Sequence, residues 1–248
     1  MRRWYFWIGI FCLLVAGLIA EPTSNQICCR MADAFDQPVG KPDAEGYYMS
    51  RGFRSYHPGE DWNGVGGGNT DLGDPVYSIG NGFVTFARDA RMGWGNVVLV
   101  RHVFVENGQL QTVDSMYAHL DKILIREGQQ VTRGQQVGTI GTNHGMYAAH
   151  LHFEIRKNLR IGINRSAFPR DLVNYYRPGA FIAQHRKIPG SERSAMIVIN
   201  TYNIPPLFPF SNKGATFPAK TEPEEKMPSR QPAHSGKFRV NRFDPDGF

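Results

Sequence analysis

Between residues 45 and 183 the chain is a succession of short β-branched and aromatic runs closed by glycine or asparagine, and this spacing limits the possible folds more than any other feature. The runs are Pro75 to Ala87, Asn96 to Val105, Thr112 to Leu120, Lys122 to Gly141 and Ala149 to Arg156. Breaks about every ten residues, without a sustained helical period, predict antiparallel strands in a sandwich or barrel. With 27 Gly and 16 Pro in 248 residues, helix-forming texture is scarce and an all-α fold is excluded. Hydrophobic residues at 41% and charged residues at 20% exclude both a polytopic membrane protein and a wholly disordered chain.

The flanks differ from this middle. Arg2 and Arg3 precede seventeen uncharged residues, Trp4 to Ala20, followed by Glu21 and Pro22. A charged start, an apolar run and a small residue at its end predict a signal peptide or membrane anchor over residues 1–20. The protein is therefore expected in the periplasm, in the cell envelope or secreted, touching membrane only through this segment if it is left uncleaved. Residues 21–44 read as a linker. Residues 184–248 read as a Pro-rich basic tail, with nine of the 16 prolines, in which Ala195 to Ile199 alone is apolar enough to dock as a strand.

Charge follows the same division. The net +6 comes from the two ends, because residues 21–185 carry 16 Lys/Arg against 16 Asp/Glu. A basic stripe for nucleic acid is not evident, so no nucleic-acid partner is expected. Of the three cysteines, Cys12 lies in the apolar run and Cys28 and Cys29 are adjacent, a spacing that strains any bridge between them. A metal bound further along the chain must therefore use His, Asp or Glu.

The histidines are patterned. His57 and Asp61 stand four apart across Pro58-Gly59, a pair suited to the centre of a type II turn, so imidazole and carboxylate can converge. His150 and His152 flank Leu151, and on a strand they share one face while Leu151, Phe153 and Ile155 take the other. One of the two can bind metal while its neighbour points the same way. An Asp and two His leave a fourth tetrahedral position for water, the open site of a catalytic zinc, and this donor set suits zinc better than magnesium or calcium. The helical HExxH pattern is absent, so proton transfer falls to histidines, with His119 on another strand-like run as a further candidate.

His57 with Asp61, then Tyr117-Ala118-His119-Leu120, then His150-Leu151-His152-Phe153-Glu154 resemble, in that order, the lysostaphin/LytM-type zinc metalloendopeptidases that cut peptidoglycan peptides. Gly73-Asp74-Pro75-Val76-Tyr77, Gly93-Trp94-Gly95-Asn96 and Glu127-Gly128-Gln129-Gln130-Val131 match as well. The likeness covers about residues 50–157. It implies a compact all-β antiparallel barrel-sandwich hybrid, a zinc peptidase domain over residues 45–183, and Zn2+ held by His57, Asp61 and His152. It also implies that His119 and His150 are the catalytic pair, one as base and one steadying the oxyanion, and that peptidoglycan stem or crosslink peptides are the substrate.

The stretch Trp62 to Thr70 is longer than in short family members and reads as a flexible loop. Thr142 to Ala148 departs from the commoner approach to the second histidine pair, and His144 reads as a surface or groove residue. His102 reads as a structural strand-end residue; His185 and His234 fall in the tail without a function. Three other functions compete: a non-catalytic peptidoglycan-binding activator of other hydrolases, which the intact five-residue set opposes; a biotinyl or lipoyl carrier, for which Lys122 is badly placed; and a zinc peptidase acting on secreted proteins.

Overall fold

The computed structural model describes residues 25–189 and 193–202. In chain order these form β1 (Gln26–Arg30), β2 (Tyr47–Arg51), β3 (Glu60–Gly64), β4 (Pro75–Tyr77), β5 (Gly82–Asp89) and β6 (Asn96–Glu106). There follow β7 (Gln109–Ile123), β8 (Gln130–Val131), β9 (Gln136–Ile140), β10 (Leu151–Arg156), β11 (Tyr175–Tyr176), a short helix α1 (Pro178–Gln184) and β12 (Ser194–Val198). All the strand pairings are antiparallel, as the glycine-punctuated runs predict. The main sheet runs β2-β3-β10-β7-β6-β5-β8, with β11 beside β10 and β9 joining β4 to β7.

β10 is the strand on which the rest turns. Successive side chains leave a strand on opposite faces. Leu151, Phe153 and Ile155 enter the main core with Val98, Val100, Tyr117, Phe35 and Phe181. His152, Glu154 and Arg156 take the other face, where Arg156 meets Met116 of the second apolar layer that also holds Val97, Leu99 and Ala118. Both faces are covered, so all six β10 residues are buried, and β6 reads as a nearly unbroken apolar run for the same reason. The registers set Asp61 of β3 and Ala118 of β7 on either side of His152.

Several sequence expectations need correction. Residues 31–39, read as linker, bury Met31, Ala32, Phe35 and Val39, with Phe35 edge-on to Phe104, Phe181 and His102. These apolar residues follow neither strand nor helix periodicity, and only tertiary contact gives them a place. Past residue 184, β12 forms over the apolar patch and pairs with β1 through a register of five residue pairs. Buried Arg101, doubly bonded to Asp114 at 2.7 Å, also donates to Val198 O at 2.5 Å and to Thr201 Oγ1 at 2.8 Å. Neither residue 45 nor residue 184 is therefore an edge of the packed unit.

His102 lies in the middle of β6, fully buried, rather than at a strand end. His185 is likewise not a tail residue: it is buried at the end of α1, bonding Phe181 O and Glu106 Oε1. The glycine-rich loop after β3 is held by Asp71 accepting from Gly64 N and by Asn69 accepting from Ala149 N, so it is fastened beside His150 instead of hanging free. Cys28 is exposed, Cys29 is buried, and both are unbridged. His144 is exposed, as expected, near Asp89. The apolar run over residues 4–20, with Cys12, and His234 lie outside the described residues. Among the described residues no helix is long and apolar enough to cross a membrane.

Candidate metal centre and its histidines

Pro58-Gly59 does not form a type II turn, since Gly59 lacks the positive φ that turn requires. The chain reverses three residues earlier, at Ser55-Tyr56, where Arg54 and His57 exchange N–H···O bonds of 2.8 and 2.9 Å. Gly59 serves by closeness instead. A Cβ there would lie 2.6 Å from Phe153 O and 3.0 Å from His152 Cε1, so only glycine lets the segment from His57 to Asp61 lie against β10.

Three donor atoms converge as a result. His57 Nε2 is 3.0 Å from Asp61 Oδ1 and 3.1 Å from His152 Nδ1, and His152 Nδ1 is 2.8 Å from Asp61 Oδ1. All three residues are buried, and among the described residues they form a group whose donor atoms could hold a metal ion. The far side of each ring decides what it presents here. His57 Nδ1 faces Gly52 O at 3.1 Å and His152 Nε2 faces Glu154 Oε1 at 3.0 Å; both acceptors require an N–H. In the neutral rings, His57 Nε2 and His152 Nδ1 are therefore bare, and with the carboxylate oxygen they aim three lone pairs at one point. Such a focus needs a cation. The edges of 2.8 to 3.1 Å fall slightly short of the roughly 3.3 Å expected for tetrahedral ligands at about 2.0–2.1 Å, so a small expansion admits a zinc-sized ion.

Charge is arranged to match. Burial alone would raise the Asp61 carboxyl, but hydrogen bonds from His152 and His57 outweigh it and hold the group well below the usual carboxylate range. Burial likewise opposes ionisation of Glu154, yet Arg156 and His152 pull its carboxyl down to about 2. Glu154 Oε2 accepts from Arg156 Nε at 2.7 Å, and the guanidinium continues to Gly162 O. A chain of buried contacts thus runs from the three-donor point through His152 and Glu154 to Arg156. Glu154 and Arg156 were visible in the sequence as the polar face of a strand, but alternation does not tell a buried ion pair from a solvated edge.

His119 and His150 stand beside this point with free Nε2 atoms. In β7, Ala118 and His119 together oppose Val97, a bulge with His119 at φ 62°. Trp94 O accepts from both His119 N at 3.0 Å and His119 Nδ1 at 3.1 Å, fixing the ring. Burial first, then the neighbouring His152 and His150, lower the His119 ring to about 3. His150 donates Nδ1–H to Ala148 O at 2.8 Å and turns Nε2 toward Asp61 Oδ1 at 3.9 Å. The two rings lie 4.9 Å apart, centre to centre. The five residues singled out from the sequence are thus brought together, three as converging donors and two as adjacent imidazoles.

Comparison with known proteins bears on the same segment. Residues 56–163 match the family model described as peptidase family M23. The chain is 37% identical over 84 residues, 34% of its length, to peptidoglycan DD-endopeptidase ShyA of Vibrio cholerae, and that match spans 18% of ShyA. It is 37% identical over 84 residues to lipoprotein NlpD of Yersinia enterocolitica, of which 78% is covered. The murein hydrolase activator NlpD of Escherichia coli is 37% identical over 84 residues, with 20% of its length covered. The matched residues carry the converging donors and the bulged histidine, and by these similarities the chain belongs to peptidase family M23.

Proposed function

We propose that this protein is an exported zinc metalloendopeptidase hydrolysing peptide bonds in the stem or crosslink peptides of peptidoglycan. His57, Asp61 and His152 are its ligands, and His119 and His150 its catalytic pair. One observation carries the reading: two imidazoles with tethered Nδ1–H groups and Nε2 atoms outside any hydrogen bond flank three converging lone pairs. When bound, zinc lowers the pKa of a water molecule toward 7 and polarises a peptide carbonyl. The chain's own residues do the rest. With Nδ1–H committed to a backbone carbonyl, each flanking ring presents Nε2 as a proton acceptor. The ring that accepts becomes an imidazolium and can pass that proton to the departing amine. Tethering keeps both rings in the required tautomer before substrate arrives. The work is done in the periplasm, the envelope or outside the cell.

The test is mass spectrometry of fragments released from purified sacculi with and without chelator. Chelator-sensitive release of peptides with new amino and carboxyl ends is expected. Sacculi left intact by the zinc-loaded protein would overturn the enzyme reading. The activator reading, favoured by the NlpD relatives, would be supported if the protein then accelerated a second hydrolase equally well in chelator.

A further inference from the structure

Two arginines beside the site lack a carboxylate of their own. Arg165 follows β10 in the loop leading to β11, with its side chain 27% exposed and its guanidinium 4.3 Å from the centre of the Trp94 ring. That indole lies 5.6 Å from the His152 ring and is stacked at 6.5 Å on His119, so Arg165 sits one aromatic layer from the site histidines. The acid nearest to Arg165 is Glu154, whose Oε1 is 4.0 Å away and already accepts from His152, while Oε2 is taken by Arg156. Arg170 approaches from the other side, its Nη1 donating to Tyr56 O at 3.4 Å next to His57. Asp171 turns one carboxylate oxygen to Val173 N and Asn174 N, and among the described residues no ion pair joins it to Arg170. Arg156 and Arg165 therefore share the one carboxylate of Glu154, and Arg170 adds a further positive charge that acts on Arg165. Burial, and then Arg170 and Arg156 working against Glu154, push the Arg165 guanidinium below its ordinary value.

A guanidinium that is stacked, partly desolvated and short of an acceptor binds a carboxylate well, since its planar fork is already oriented. We propose that Arg165, assisted by Arg170, forms an anion subsite that binds a carboxylate of the peptide substrate beside the scissile bond. This rests on the peptidase reading above and adds the charge of the substrate to it. Trp94 has two functions in this arrangement: its carbonyl fixes His119, and its ring supports the arginine that grips the substrate.

The test measures binding of fluorescent peptides to the full chain by anisotropy, with zinc present and again in chelator. The probes are a synthetic peptidoglycan stem peptide with free carboxylates and two versions carrying a carboxamide at the C-terminus or at the side-chain carboxylate. The free-acid peptide should bind about tenfold or more tightly than one of the carboxamides, and which one identifies the carboxylate involved. Arg165→Gln should remove that gap, Arg165→Lys should keep part of it, and Arg170→Gln should narrow it. Cobalt affinity and the cobalt absorption spectrum should be unchanged in Arg165→Gln. Equal affinities, no binding, or a gap surviving in Arg165→Gln would overturn the subsite. So would a matching loss of cobalt affinity, which would make Arg165 only a cover for Glu154. Failure of the peptidase reading looks different: intact sacculi with the peptide gap preserved.

Discussion

Glu154→Gln replaces a buried carboxylate by an amide of the same shape. In the native protein one oxygen accepts from His152 at 3.0 Å and the other from Arg156 at 2.7 Å, and the side chain is fully buried. An amide can satisfy only one of these donors. If its oxygen faces Arg156, its NH2 faces His152 Nε2, which must then accept; His152 Nδ1 becomes N–H and points a proton at Asp61 and the metal position. If its oxygen faces His152, the NH2 meets a buried guanidinium. The first arrangement costs about 10- to 100-fold in metal affinity, roughly 1.4–2.7 kcal/mol. Either arrangement also removes the negative charge that pairs with buried Arg156, a second cost of about 3–5 kcal/mol of folding stability. The two costs can be read separately. Melting in chelator reports the second, as a fall in Tm of roughly 6–20 °C for a domain of this size. The zinc-induced rise in Tm and a cobalt competition titration report the first. Zinc affinity within twofold of wild type together with an unshifted Tm in chelator would refute the assignment of Glu154 as the residue that sets the His152 tautomer.

Three further outcomes follow from the same geometry. His57→Ala and His152→Ala should lose bound zinc by metal analysis, whereas His119→Ala and His150→Ala should keep it and lose about 10²- to 10⁴-fold in peptide hydrolysis rate; normal turnover in the latter pair would remove them from the reaction. His102, with Nδ1 on Asn81 O and Nε2 on Ser115 Oγ, is lowered by burial to about 4. Its unfolded ring titrates near 6.5, so the unfolded chain binds the extra proton first. Stability is then complete above about pH 6.5 and falls by about 3 kcal/mol as the pH drops to about 4, and urea midpoints of the zinc-free protein that stay flat over that window would contradict it. Finally, a chain ending at residue 192 should melt well below one ending at residue 202. It lacks buried Ile197 and leaves Arg101 without Val198 O and Thr201 Oγ1, a loss of at least about 3 kcal/mol. Equal melting temperatures would mean that β12 contributes little.

What could be read from the sequence divides along physical lines. Glycine punctuation and β-branched runs specify local backbone, and the antiparallel sheet follows from them. The clustered histidines were legible because their chemistry is rare and their spacing matches strand geometry: His150 and His152 fall where period two puts them. Features created by long-range packing were hidden. Phe35 has no periodic neighbours to announce that it is core, and Arg101 gains its partners about a hundred residues later in the chain. The Pro58-Gly59 pair suggested a turn by its ordinary statistics, while the actual demand on Gly59 is the nearness of β10, which no local rule contains. His102 shows the same limit: its neutrality depends on Ser115 and Asn81, brought to it from other parts of the chain.

The pairing of β1 with β12 has a mechanical consequence. Ile199 N donates to Asn25 O at 2.9 Å and Asn200 N to Asn25 Oδ1 at 2.8 Å, so the two ends of the described segment are fastened side by side. Tension between the two flanking segments would load this clasp first and peel the hairpin-like pair bond by bond. β3, β7 and β10, which hold the histidines in register, would bear force only after the clasp had opened.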